Sequence, residues 1–509
     1  MKRVLSFIFS KKLLYVLFVL LQLLILFALF YRFREYYPYF WGLYITLDVI
    51  LILWEINRED GIDFTVAWVM MIALLPIAGA LLYLFLHTDL VSYRIRRRFE
   101  LEVSRSKNYL RQSEEVRKKL YETHHPDRDA FRYLGRAGGY PVWQNTAIRY
   151  YPLGDTFFPE FTDALEQAEK FIFMEFFIIA DGRMWDTVRT ILERKARQGV
   201  EIRLLYDGMG SLGLLPPGYP KKMQKAGIDC RIFSPIRPFL STYQNNRDHR
   251  KICVIDGHTA FTGGVNLADE YINEKERFGH WKDVAVMLRG DGVKNFTFMF
   301  LQLWNASKRK KLDYAPYLES PAYTAPGESF VCPFGDFPLD SEPVGELSYI
   351  QILNQAKNYV HIMTPYLILS ANMLSALKFA AKRGVQVTIL MPHVPDKKIA
   401  FMLAHSYYPE LLRAGVQIYE YTPGFVHAKL TVSDGARAVV GSINYDYRSL
   451  YLHYECGVYI AGDPVIETME EDFKDCLTQS QYFTLSDWKR LGFFHRLFGK
   501  IFRAFAPLM

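Results

Sequence analysis

One spacing of residues occurs twice in this chain. His249, Lys251 and Asp256 are followed by Gly263, Gly264 and Asn266, and His427, Lys429 and Asp434 are followed at the same offsets by Gly441, Ser442 and Asn444. Two copies of one pattern in register imply two copies of one folding unit. The repeat continues outside the motif, where Leu165-Glu-Gln-Ala-Glu-Lys170 matches Leu353-Asn-Gln-Ala-Lys-Asn358 and Ala196-Arg-Gln-Gly-Val200 matches Ala381-Lys-Arg-Gly-Val385. A chain of 509 residues also exceeds what one core holds and calls for two or three domains.

Around each motif the pattern alternates between strand and helix. Phe171–Ile179 reads as a buried strand, Trp185–Arg197 as a helix and Val200–Tyr206 as the next strand. Asn358–Met363, Met373–Arg383 and Val385–Leu390 repeat that plan. The predicted class is α/β, with a first half over 136–315 and a second over 325–482. The joint near Tyr314–Glu328 carries Pro316, Pro321 and Pro326.

The first 92 residues are different. Leu13–Tyr31 and Phe64–Leu86 are apolar runs long enough to span a bilayer core of roughly 30 Å. Tyr39–Trp54, which carries Thr46 and Asp48, offers a third span. A cleaved signal peptide fits Leu13–Tyr31 poorly, because the run is too long and no small-residue cleavage site follows. Lys2, Arg3, Lys11 and Lys12 before the first run and Arg94, Arg96, Arg97 and Arg98 after the last both favour the cytoplasmic side, which three full crossings do not allow. A cytoplasmic catalytic region satisfies most of these charges.

The segment 93–135 alternates charges through Glu100, Glu102, Arg105, Lys107 and Arg111 and reads as a solvated helical linker, or one lying on anionic headgroups. At the other end, 486–509 places Trp488, Leu491, Phe494, Phe498 and Phe505 at helical steps with Arg490, Arg496, Lys500 and Arg503 between them. That is a basic amphipathic helix, facing either lipid or the second half. The net charge of +7 suits an anionic partner, and the five cysteines lie too far apart in sequence for a zinc site and leave one over from disulfide pairs.

On a regular strand His249 and Lys251 project to one side, as do His427 and Lys429. Each half then offers one imidazole beside one ammonium. Neutral imidazole is a nucleophile and base, imidazolium is an acid, and two histidines can divide one phosphoryl transfer while the lysines hold the phosphate oxygens. Asn266 and Asn444 add neutral donors for the same oxygens. Asp256 and Asp434 complete the motif as catalytic candidates, yet each precedes a glycine, Gly257 or Gly435, which is equally a hairpin-turn signal. Asp283 and Glu455, acids in apolar surroundings, are better placed to orient the imidazoles.

The paired pattern resembles the phospholipase D superfamily, and within it the bacterial cardiolipin synthases. The narrower likeness rests on Asn246-Arg-Asp-His-Arg-Lys-Ile252, Gly263-Gly-Val-Asn-Leu-Ala-Asp-Glu-Tyr271, His280-Trp-Lys-Asp283, Asn444-Tyr-Asp-Tyr-Arg-Ser449 and, near the start, Ala67-Trp68 with Leu74-Leu-Pro-Ile77. The chain departs from that pattern with Gly264 in place of Ser and His453 in place of Asn. The resemblance implies two homologous α/β halves packed as a pseudo-dimer behind N-terminal transmembrane helices. It also implies a metal-free, cofactor-free transfer through a phosphatidyl-histidine between two molecules of phosphatidylglycerol, at a bacterial cell membrane spanned several times. The absence of His-Glu-x-x-His, Cys-x-x-Cys and Gly-x-x-x-x-Gly-Lys agrees with a reaction without resident metal or nucleotide. Rival expectations are a membrane-bound hydrolase of the same superfamily and a silent membrane scaffold. The apolar anchor argues against nucleic acid as the partner.

Overall fold

The computed structural model describes residues 37–508 apart from 59–60, 76–77, 88–89, 123, 236–244, 308–310, 320–327 and 339–341, with scattered positions between 20 and 34. Its centre is two mixed sheets of matching strand order. The first runs Thr146–Tyr151, Ala285–Gly290, Thr259–Gly263, Lys251–Ile255, Phe171–Phe176, Glu201–Asp207 and Asp229–Phe233. The second runs Phe330–Asp336, His453–Ala461, Arg437–Gly441, Leu430–Ser433, Tyr359–Met363, Gln386–Pro392, Gln417–Tyr421 and Ser480–Tyr482.

The parallel strands at the centre of each sheet are mostly apolar and buried because helices cover both faces. Phe171–Phe176 is buried at every position. Its crossover helix, Arg183–Arg197, buries Met184, Trp185, Val188, Ile191 and Leu192 at helical spacing, and Ala371–Lys382 does the same in the second half with Met373, Leu374 and Leu377. Helix Val293–Ala306, buried continuously from Asn295 to Asn305, lies among residues of both halves that form one core.

The halves also exchange short strands. Gly424–Val426 of the second half pairs in parallel with His280–Lys282 of the first, and Arg247–Asp248 of the first pairs in parallel with the start of His453–Ala461 of the second. These two crossings bring the repeated motifs together.

Asp256 and Asp434 take the second of the two places that the sequence left open to them, in the hairpin turns. Each has a left-handed backbone, with φ of 52° and 55°, and is followed by Gly257 at 71° or Gly435 at 60°, as a turn with two positive φ angles requires. The Asp256 carboxylate accepts the backbone N–H groups of Glu169, Lys170 and Phe171 at 2.8, 2.7 and 2.8 Å. Asp434 accepts those of Lys357, Asn358 and Tyr359 at 2.8, 2.9 and 2.9 Å. They tie each hairpin to the start of the neighbouring central strand. That is the far end of the strand from the lysine, about 16 Å away over five residues. Asp256→Ala is therefore expected to cost about 3 kcal/mol or more, since three charge-assisted bonds are lost. A melting temperature lowered by at least about 5 °C, with turnover per folded molecule retained, is the measurement.

Near the N-terminal end the long apolar run is interrupted. Phe64–Leu86 is not one helix but two, Ile62–Leu74 and Ala78–His87, separated where the sequence carries Pro76. Proline has no amide hydrogen to continue a helix. The second helix folds back so closely that a Cβ on Gly79 would lie 2.4 Å from the carbonyl oxygen of Met71. Together with Tyr37–Ile56, the pair packs around Leu51, Trp68, Ile72, Ala80 and Tyr83, and Tyr83 donates to the buried Glu55 at 2.7 Å. Among the described residues no helix is long and apolar enough to cross a membrane. Leu13–Tyr31 lies largely outside the described residues.

The charged segment is helical, over Leu90–Ser106 and Glu114–Glu122, but it is not simply solvated. Phe99, Glu102, Ser106 and Leu120 are buried. Glu102 accepts from Tyr314 at 2.9 Å and is paired with Lys311, so its charge is spent on the first half. The C-terminal segment is two helices, Leu485–Arg490 and Phe493–Phe505. One face of the latter lies on helix Lys398–Arg413, with Gly499 against the Met402 carbonyl and Arg503 bonded to Glu410 at 3.2 Å. Phe493, Phe494, Phe498 and Ile501 remain exposed on it.

Candidate active site

Both motif histidines sit immediately beyond the exchanged strands. The His249 N–H donates to the carbonyl of Tyr454 at 2.9 Å, and the His427 N–H to that of Lys282 at 2.7 Å. Neither histidine is within a strand, whereas Lys251 opens Lys251–Ile255 and Lys429 immediately precedes Leu430–Ser433. The simple alternation expected from sequence therefore stops at the lysine. Instead, the Nζ of Lys251 donates back to the His249 carbonyl at 2.5 Å, and that of Lys429 to the His427 carbonyl.

Each exchanged strand delivers an acid from the opposite half. Asp283 follows His280–Lys282, and its Oδ2 lies 2.6 Å from Nδ1 of His427. Glu455, in His453–Ala461, places Oε1 2.8 Å from Nδ1 of His249. The orienting pairs are thus crossed between halves. An Nδ1–H donated to a carboxylate fixes the tautomer and leaves Nε2 with its lone pair.

The six groups are buried together, with Asp283 and Glu455 at 0 % exposure. Burial pushes the His427 imidazole down to about 4, aided by Lys429 and opposed by Asp283. It drives His249 well below the usual range against the pull of Glu455. Burial also lowers Lys251 to about 8 and Lys429 to about 7, and both lysines feel Asp283 and Glu455. For the two carboxylates burial acts upward, but the imidazole and lysine charges outweigh it and hold both below their ordinary values. The four cation-forming groups and two anions therefore make one electrostatic unit.

The asparagines are less alike than the sequence suggests. Asn266 spends its carbonyl on the N–H of Ile178 at 3.0 Å and its amide on the hydroxyl of Tyr271 at 2.7 Å, which makes it a brace of the loop. Asn444 is buried with Oδ1 unbonded among the described residues. Sequence reading missed three neighbours: Tyr271 and Trp281, whose ring centroids lie 5.4 and 5.5 Å from that of His427, and Phe177, 5.0 Å from His249. Tyr271 and Trp281 lie within the stretches that carry the family likeness, which is their sequence signal, whereas Phe177 is marked only by its apolar strand.

Gly264 and Ser442 occupy matching places and act differently. The Ser442 hydroxyl donates to Oε2 of Glu455 at 2.5 Å. A Cβ on Gly264 would fall 1.9 Å from Oδ1 of Asp283, so the shorter acid is pressed against bare backbone. Gly264→Ala must displace that carboxylate and loosen His427. A rate loss of about 10²-fold without a matching drop in melting temperature is expected.

The model of the cardiolipin synthase, PLD-like domain matches this chain twice, over 161–287 and 349–477. The chain belongs to that family. A protein of Streptococcus mutans with no assigned function is 47 % identical over 90 % of this chain and 99 % of its own. The cardiolipin synthase of Alkalihalophilus pseudofirmus is 32 % identical over 91 % of this chain and 93 % of its own. Among solved structures, the phosphatidylserine synthase of Haemophilus influenzae shares the fold, with a TM-score of 0.55 over 71 % of this chain and 93 % of that one at 14 % identity. Each family match encloses one motif histidine and the acid that serves the other: 161–287 holds His249 and Asp283, whereas Glu455 lies in 349–477 with His427. Each match alone is half of a site.

Proposed function

We propose that the chain is a cardiolipin synthase that moves a phosphatidyl group from one phosphatidylglycerol to a hydroxyl of another. The observation that carries this is the crossed arrangement of two buried imidazole–carboxylate pairs around two lysines. The similarity to cardiolipin synthases supports the substrate class. In the first step, Nε2 of one histidine attacks phosphorus. The bond to the glycerol oxygen breaks, the other histidine, which takes up a proton once the phosphodiester anion lies beside it, gives that proton to the oxygen, and glycerol departs to leave a phosphatidyl-histidine. In the second step, the histidine now neutral takes a proton from the acceptor hydroxyl, the new P–O bond forms and the P–N bond breaks. Lys251 and Lys429 supply charge to the non-bridging oxygens in both transition states. Asp283 and Glu455 hold each ring in its tautomer and stabilise the imidazolium.

Buried histidines keep water from the phosphatidyl-enzyme, which favours transfer over hydrolysis. Purified protein given labelled phosphatidylglycerol is expected to yield cardiolipin and free glycerol; phosphatidic acid as the sole product would replace this reading with that of a hydrolase.

The reading includes an anionic bilayer as the working surface, at the bacterial cell membrane, with 1–92 as anchor and lipid, not nucleic acid, as partner. Exposed Leu43, Ile50, Leu53 and Trp54 on the first helix, and exposed Phe494, Phe498 and Ile501 beside Lys500 on the last long one, support it. The double change Phe494→Ser with Phe498→Ser is expected to weaken binding to phosphatidylglycerol vesicles at least about tenfold, because two buried rings are each worth about 1.5–3 kcal/mol. Sedimentation with vesicles measures it.

A further inference from the structure

The two half-sites differ at a further matched position. Trp281 and His453 each stand two residues before the orienting acid of their half. Their rings stand in the same relation to the opposite motif histidine: Trp281 is 5.5 Å from His427 at 44°, and His453 is 5.5 Å from His249 at 42°. Trp281 is packed among Tyr271, Phe425 and Phe278. His453 is nine-tenths buried, and both of its ring nitrogens lack a hydrogen-bond partner among the described residues. A buried imidazole without partners is destabilising, so this ring is available to a ligand.

Its surroundings define the ligand. His453 Nδ1 is 3.8 Å from Oε1 of Glu455, the same oxygen that His249 approaches at 2.8 Å. One ligand atom from each of His249, His453 and Glu455 falls within a span of 4.8 Å. Two imidazoles and one carboxylate suit a borderline-soft divalent cation, which asks for bonds of about 2.0–2.2 Å. Closing the span needs a small swing of His453, and that ring has no hydrogen bond to break. We propose that His249, His453 and Glu455 form an inhibitory site for a divalent transition-metal ion such as Zn²⁺. The ion takes the imidazole needed for phosphoryl transfer and the carboxylate that orients it, so it blocks turnover. Lys251, whose charge acts on Glu455, opposes the cation, which makes the site reversible and not a resident metal centre. Mg²⁺ and Ca²⁺, which prefer oxygen ligands, are excluded by the nitrogen donors. The other half-site, with Trp281 in the matched place, binds no such ion.

The inhibitory consequence rests on His249 being catalytic, whereas metal binding does not. Two readouts on the full chain separate them. Titration with Co²⁺ is expected to give the visible absorption of a nitrogen-ligated ion at one site per chain. His453→Asn, and independently His453→Phe, should weaken it at least about tenfold, while His405→Asn, a histidine outside the site, leaves it unchanged. Zn²⁺ is expected to inhibit lipid transfer reversibly with EDTA, and His453→Asn should require at least about tenfold more, with each protein scaled to its own metal-free rate. Cobalt affinity that is unaltered in both His453 variants overturns the site. Binding that depends on His453 yet leaves turnover untouched keeps the site and overturns the role of His249.

Discussion

His249→Ala and His427→Ala are each expected to lower cardiolipin formation by at least about 10⁴-fold, and combining them should cost little more. Neither imidazole has a substitute at its position. Removal of one stops nucleophilic attack, and removal of the other strands the glycerol oxygen without its proton. The effects are non-additive because the two rings serve one displacement. A complication is physical: alanine at 249 leaves Glu455 as a buried anion without its ring, and alanine at 427 does the same to Asp283. Losing one partner of a buried pair costs about 3–5 kcal/mol. The matching pair His249→Gln and His427→Gln, which can keep an N–H toward the acid, separates chemistry from folding. If the glutamine variants melt like the parent and remain inactive, the loss is catalytic; substantial activity in either one removes that histidine from the mechanism. Mass spectrometry of substrate-quenched protein should then find phosphatidyl on one retained histidine only.

How much of this was legible beforehand follows from the kind of interaction involved. The duplicated α/β plan was visible because it is written in local periodicity: Trp185, Val188 and Leu192 mark a helix face, and Phe171–Phe176 a strand buried on both sides. The Asp-Gly turns at 256 and 434 were visible for the same reason. The crossing was not. Asp283 and Glu455 stand out as acids among apolar residues, but nothing local says that each serves the histidine of the other half, since that depends on the exchange of Arg247–Asp248 and Gly424–Val426. The bond from Asn266 to Tyr271 is short in sequence, yet it competes with a phosphate role that looks equally sound on paper. Alternating charge in 93–135 suggested solvent, whereas the pairing of Glu102 with Tyr314 and Lys311 is a contact across more than 200 positions of chain. The helices Ile62–Leu74 and Ala78–His87 illustrate a different limit: apolar composition measures the length of a run, not whether it folds as one helix or two.

A bell-shaped pH profile with a missing charge on its alkaline side is the second large effect expected. The value of kcat/KM follows ionisations of the free enzyme. With Lys429 brought to about 7 and Lys251 to about 8 by burial, each becomes neutral as pH rises through those values, and the site loses the charge that receives the phosphodiester. On the acid side His427, at about 4, stays neutral until strongly acidic conditions. The plateau should therefore end near pH 7 and fall more steeply beyond 8. Lys429→Met should cost about 10²–10³-fold, as loss of one transition-state donor does, and remove the break near 7 while leaving the one near 8. Lys429→Arg should retain part of the rate and carry activity to higher pH, because a guanidinium remains charged there. Stability must respond in the opposite sense. In the unfolded chain a lysine ordinarily titrates near 10.5, so between about 7 and 10.5 for Lys429, and about 8 and 10.5 for Lys251, the unfolded state binds more protons. These two lysines accordingly favour the folded state more as pH rises through that window, and the contribution is lost as pH falls toward 7. Alkaline conditions that slow turnover should raise this part of the stability. A melting temperature that responds to pH between 7 and 9 in the parent, and less in Lys429→Met, is the signature. An alkaline limb unchanged in Lys429→Met would assign the charge on the phosphate to some other group.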